Sequence, residues 1–138
     1  MSAKPLDTIM SPSSIAITGA SNNFVKMGTI QMLNLVNCGF PGDIMPVHPT
    51  EKTVLGKKAY PSIKDLPYAP DLAIFVVPTR LVPEMLEDIG KLGTKHAVII
   101  TAGFRETGGK GRDLEKRIID IARTYGIRFL GPNCLGIV

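Results

Sequence analysis

The chain has 138 residues, 44% of them hydrophobic and 20% charged, with a formal net charge of +4. That is apolar material for one packed domain and too little charge density for a disordered chain. The cationic excess is scattered except at Lys57-Lys58, with five Phe, three Tyr and no Trp, so there is no basic stripe with interleaved aromatics and a nucleic-acid surface is disfavoured. A mild positive charge suits an anionic small ligand equally well.

In chain order, the first apolar run is SIAIT (14–18), rich in β-branched residues and bounded by Ser and Gly. Met27 to Cys38 follows with apolar positions at Met27, Ile30, Leu33, Leu35 and Val36, and Gly39 closes it as a helix stop. DIMPV (43–47) reads as a second strand that Pro46 ends early. Residues 50–70 form a Pro-rich connection with at most a short helix around Ser62 to Leu66.

DLAIFVV (71–77) is a third strand, and Val82, Met85, Leu86 and Ile89 after it follow a helical i, i+3, i+4, i+7 spacing. HAVIIT (96–101) is a fourth strand. Gly108 to Gly111 reads as a loop leading into a helix from Arg112, which carries Leu114, Ile118, Ile121, Ala122 and Tyr125 and stops at Gly126. IRFL (127–130) is a fifth strand. Continuous apolar runs alternating with amphipathic helices predict an α/β fold: a doubly wound, Rossmann-like parallel sheet in a single domain over residues 12–138, with 1–11 as an N-terminal extension. The chain breaks off two residues into a further apolar stretch, so a fragment of a longer protein is expected.

The two cysteines, Cys38 and Cys134, are far apart and lack metal-ligand spacing, which predicts neither a disulfide framework nor a zinc site and favours the cytoplasm. Cys38 is expected in the core, on an apolar helix face. No signal-peptide core opens the chain, and runs such as LAIFVV (72–77) are too short to span a bilayer, so no membrane partner is expected.

In such sheets ligands sit at the carboxyl ends of the strands. The loops in question are TGASNN (18–23), VHPTEK (47–52), VPTR (77–80), TAGF (101–104) and GPNC (131–134), all small or loop-forming. Small residues let backbone N–H groups approach an anion with a helix N-terminus behind them. The first loop departs from the G-x-G-x-x-G dinucleotide pattern, with one Gly, then Ala20-Ser21, and a long run to Gly28. The second strand ends Val47-His48-Pro49, with no carboxylate for ribose hydroxyls until Glu51. Lys52, Lys57 and Lys58 suit an extra phosphate better than a ribose diol. Two alternatives stay open on the loop alone: Gly19 merely makes a tight turn, or the chain is an NAD(P)-binding protein or redox sensor. His96, opening a buried strand, reads as structural, whereas His48 reads as either a ligand contact or a surface loop residue.

Together, TGAS, VHP, VVPT, ITAGF and LGPNCLG, each after its strand and in this order, resemble the CoA-binding domain of NDP-forming acyl-CoA synthetases. That family includes the ADP-forming acetyl-CoA synthetases and the alpha subunit of succinyl-CoA synthetase. The resemblance covers nearly the whole chain, and ITAGF and GPNCLG look closer to the acetyl-CoA synthetase branch. It implies that CoA lies across the strand ends. Thr18, Gly19, Ala20 and Ser21 would hold its nucleotide phosphates. Lys52 would sit near the phosphorylated ribose, although the family's lysine is placed differently after the second strand. Val77 and Pro78 would line the adenine or pantetheine path, and Ile100, Thr101 and Ala102 the pantetheine arm. Asn133 and Cys134 would open a turn whose N–H groups face a phosphorylated histidine held by a following domain.

The resemblance further implies partner domains, one carrying the phosphohistidine and one an ATP-grasp nucleotide site, and no catalysis by this segment alone. A standalone CoA-binding or regulatory module is the alternative. Gly19→Val is expected to remove CoA binding without unfolding the domain.

Overall fold

The computed structural model describes residues 11–23, 25–100 and 108–131. Its elements are β1 (Ser14–Thr18), α1 (Met27–Asn37), β2 (Asp43–Val47), β3 (Thr53–Val54), β4 (Lys57–Lys58), β5 (Leu72–Phe75), α2 (Val82–Leu92), β6 (His96–Ile99), α3 (Gly109–Tyr125) and β7 (Arg128–Leu130). Single 3-10 turns lie at Ile63–Asp65, where the sequence predicts a short helix, and at Thr79–Leu81.

Five strands pair in parallel in the order β2-β1-β5-β6-β7. From β1 the chain winds outward to β2; from β5 it winds the other way to β6 and β7. The direction reverses between β1 and β5, which defines a crevice at the carboxyl ends of those two strands. The fold is the predicted Rossmann-like doubly wound sheet.

The apolar runs form strands because both sheet faces are covered. All five residues of β1 are buried. Ala16 packs with Phe75, Leu86, Ile99 and Ile118 beneath α2 and α3, while Ile17 packs with Met32 and Val54 on the α1 face. Among the described residues, no helix is long and apolar enough to cross a membrane.

Four local expectations need correction. Pro46 does not shorten β2, which runs through Val47 with Pro46 opposite Ile17. β2 is the sheet edge, and the Pro46 carbonyl faces outward to accept the Tyr60 N–H at 2.9 Å, so the missing proline N–H costs β1 no ladder bond. Second, α3 starts at Gly109, three residues before Arg112, closed by the Arg112 N–H donating to the Gly108 carbonyl at 2.9 Å. First-turn N–H groups lack helical partners anyway, so glycines are tolerated there.

Third, Cys38 is exposed at the end of α1 and donates its thiol proton to the Leu35 carbonyl. The buried side of α1 is instead Gly28, Thr29 and Met32, leaving Met27, Ile30 and Val36 exposed. Fourth, the connection after β2 contains an antiparallel hairpin, β3–β4, turned by Leu55 (φ 50°) and Gly56 (φ 80°). Leucine is disfavoured at positive φ. Its N–H is held by Asn22 Oδ1 at 3.1 Å, and its side chain packs against the cluster around Met32 and Val54.

Candidate ligand-binding site

The site begins where β1 stops. The Val76 N–H donates to the Thr18 carbonyl at 3.1 Å, drawing the segment after β5 against the end of β1. Gly19 then turns with φ 95°, and a Cβ there would lie 1.8 Å from the Val76 carbonyl oxygen. Gly28 makes a second close approach: a Cβ on it would lie 2.3 Å from the Gly19 oxygen. Turn and helix are therefore seated on each other backbone to backbone. In the dinucleotide fingerprint the first glycine makes the turn and the last allows helix–strand packing. Gly19 and Gly28 perform those two tasks at a longer spacing.

Thr29, which the sequence reading missed, clasps the loop. Its buried Oγ1 accepts the Ser21 N–H at 3.0 Å and donates to the Ser21 carbonyl at 3.0 Å. The Ser21 hydroxyl in turn accepts the Asn23 N–H at 3.1 Å. Asn22 ties the same loop to the hairpin, donating from Nδ2 to the Thr53 carbonyl at 2.9 Å. These bonds fix the loop backbone before any ligand arrives.

Lys26 is the N-cap of α1, which has no side-chain cap and no acidic residue in its first turn. Helix N-termini carry partial positive charge, so the lysine and the helix end add to one electropositive wall.

A cleft of about 430 Å³ opens over these strand ends. Thr18, Gly19, Ser21 and Lys26 line it on the β1 side, Val47, His48 and Pro49 at the end of β2, and Val77 after β5. Leu81, Glu84, Met85 and Asp88 of the α2 segment also line it. The volume lies in the range of small-molecule sites, and the lining mixes apolar side chains with the polar or charged Thr18, Ser21, Lys26, His48, Ser62, Glu84 and Asp88. A wider groove of about 660 Å³ runs along β7, but it is more open, and among the described residues its lining comes from α3, β7 and the turn between them.

Of the residues singled out from sequence, Thr18, Gly19, Ser21 and Val77 meet in this cleft. Ala20 is fully buried beneath the loop against Ile17 and Met32. Ile100 is buried with Ile15, Leu72 and Val98. Lys52 and Pro78 are exposed and not among the described lining residues. Lys57 and Lys58 lie on the exposed β4 strand, Lys58 over the Tyr60 ring. Thr101, Ala102, Asn133 and Cys134 lie outside the described residues. Lys26 was missed because it stands in the helix-start segment, where the strand-end pattern gives no signal. Among the described residues no group of three or more metal-ligating side chains occurs.

Comparison with known proteins identifies the class. The sequence profile of the CoA binding domain family matches residues 13–138, and the chain belongs to that family. Coenzyme A is the ligand of the family. The chain is 45% identical over 130 residues to a 4-hydroxybutyrate–CoA ligase (ADP-forming) of Nitrosopumilus maritimus, covering 94% of this chain and 18% of the relative. It is 46% identical over 133 residues to the alpha subunit of the acetate–CoA ligase (ADP-forming) II of Pyrococcus furiosus, covering 96% and 29%. The apo structure of an acetyl-coenzyme A synthetase 1 of Ca. Korarchaeum cryptofilum superposes with a TM-score of 0.88 at 41% identity, covering 93% of this chain and 28% of that one. The chain thus matches the CoA-binding part of ADP-forming acyl-CoA synthetases and spans less than a third of the length of these relatives.

Proposed function

We propose that this chain seats CoA for an ADP-forming acyl-CoA synthetase, with residues 12–138 as the binding domain and 1–11 as an extension. The observation that supports it most is the cleft at the switch point, where the Gly19 turn, the uncapped start of α1 and Lys26 converge. These residues fit the group. Thr18 to Ser21, Lys26 and the α1 N-terminus would hold the phosphates through hydroxyls, one cation and backbone N–H groups other than that of Ser21, which Thr29 already accepts. Val77 and Met85 would line the apolar path, and Glu84 and Asp88 would accept from N–H or O–H donors of the ligand. Ile100, Thr101 and Ala102 would follow the pantetheine arm. Asn133 and Cys134 would face the phosphohistidine of a partner domain. CoA supplies the thiol nucleophile. The domains carrying the phosphohistidine and the ATP-grasp site would be further parts of the same enzyme, working in the cytoplasm.

The strand-end chemistry separates CoA from NAD. No carboxylate stands at the end of β2 to accept from ribose hydroxyls, since the positions after Val47 are His48 and Pro49. Calorimetric titration of the 138-residue chain is expected to show CoA binding and no NADH binding. Incubation with ATP, magnesium, acetate and CoA is expected to yield neither acetyl-CoA nor phosphoprotein. Binding of NADH without binding of CoA would overturn the reading.

A further inference from the structure

The roles of the two His48 nitrogens are set by its own loop. Nδ1 accepts the backbone N–H of Thr50 at 3.1 Å and of Glu51 at 3.0 Å, with the Thr50 hydroxyl 3.4 Å away. A ring nitrogen that accepts N–H bonds carries no proton, so the neutral imidazole carries its proton on Nε2. The loop thereby fixes the tautomer and holds the ring by its Nδ1 edge, leaving Nε2–H as the donor that the loop does not use.

That donor stands at an informative place. His48 directly follows the last residue of β2 and lines the cleft with Thr18, Gly19, Ser21 and Lys26. In doubly wound sheets the end of the second strand is where the ribose of a bound nucleotide is read. A carboxylate there accepts from ribose hydroxyls. A locked Nε2–H cannot accept, so it matches an acceptor such as a phosphate oxygen on the ribose. Lys26 is the one lysine or arginine among the described lining residues, while Glu84 and Asp88 lie on the α2 segment.

We infer that His48 is a specificity-determining residue: held as the Nε2–H tautomer by Thr50 and Glu51, it donates to the ribose phosphate of CoA and favours CoA over 3′-dephospho-CoA. The inference rests on the CoA-binding reading above. It accounts for a histidine spending its acceptor on its own backbone while bordering the cleft.

The test has a ligand-free arm and a binding arm. Long-range ¹H–¹⁵N NMR of the chain without ligand at neutral pH is expected to show His48 protonated on Nε2. Protonation on Nδ1 overturns the inference. Titration with CoA and 3′-dephospho-CoA then compares wild type, His48→Asn and His48→Ala. Asparagine Oδ1 can still accept the loop N–H groups, in the manner of an Asx turn, while its Nδ2 donor falls short of the place that Nε2 reaches. His48→Asn is expected to lose roughly tenfold in CoA affinity, the scale of one hydrogen bond to a charged group, and to bind 3′-dephospho-CoA as wild type does. His48→Ala also frees the loop and is expected to weaken both ligands. Equal CoA affinity of wild type and His48→Asn, or equal losses for both ligands in His48→Asn, overturns the inference and leaves the CoA reading standing. Failure of wild type to bind either ligand overturns the CoA reading itself.

Discussion

Replacing Gly19 by valine is expected to lower stability by about 3–5 kcal/mol, a fall in Tm of roughly 10–20 °C for a domain of this size. Two causes add. Gly19 has φ 95°, where a β-branched residue is strained by about 1–2 kcal/mol. Its Cβ would also stand 1.8 Å from the Val76 carbonyl oxygen, a backbone atom fixed by the sheet that no rotamer change can move. The sequence alone suggests a clean loss of ligand binding in a folded protein; the closeness of Val76 shows that the fold is affected first. Gly39 supplies the control. It has φ 76° with nothing within 4 Å of an added Cβ, so Gly39→Ala meets only the conformational cost, about 1 kcal/mol. Thermal melts of the two variants measure the difference. A Gly19→Val protein melting within about 3 °C of wild type would contradict the close-packed turn.

Reversing the charge at Lys26 is expected to have the opposite profile, leaving the fold and removing the ligand. Lys26 caps α1 without a side-chain cap bond, and an acidic residue at a helix N-terminus interacts favourably with the helix dipole. Lys26→Glu should therefore unfold within about 0.5 kcal/mol of wild type. Its CoA affinity should fall roughly a hundredfold, because an attraction to phosphate becomes a repulsion beside the same oxygens. The gap between the two proteins should narrow with added salt as the exposed charge is screened. Calorimetry at two ionic strengths checks both statements. An unchanged Kd would remove Lys26 from the site.

The architecture was legible in the sequence because five apolar runs and three helical patterns alternate with loops of small residues. SIAIT, LAIF and HAVI are buried on both faces, and that burial produces an unbroken apolar run instead of an alternating one. What was not legible depended on neighbours distant in sequence. Pro46 is harmless because β2 is the edge strand and Tyr60 takes its carbonyl, a fact about sheet order. The β3–β4 turn uses Leu55-Gly56 instead of the usual Asn-Gly, held by Asn22 across the loop. The face α1 buries is marked by Gly28 and Thr29, residues that hydrophobic periodicity does not count.

The site divided in the same way. Thr18, Gly19, Ser21 and Val77, which line the cleft, are legible in the sequence because each ends or follows a strand. Lys52 stands in a strand-end loop, where its carbonyl accepts the Ala59 N–H and its side chain is not among the described residues that line the cleft. Thr29 carries no ligand-binding signature at all; its role exists only because Gly28 lets α1 approach Ser21.

Backbone chemical-shift mapping with CoA tests the central claim most directly. The amides of Thr18 to Ser21, Lys26 to Gly28, His48 and Val77 are predicted to move as CoA is added, and those along the β7 groove, such as Ile119, Arg123 and Phe129, to stay in place. Shifts confined to the β7 groove, or none at the strand ends under saturating CoA, would contradict the assignment of the cleft between β1 and β5 as the CoA seat.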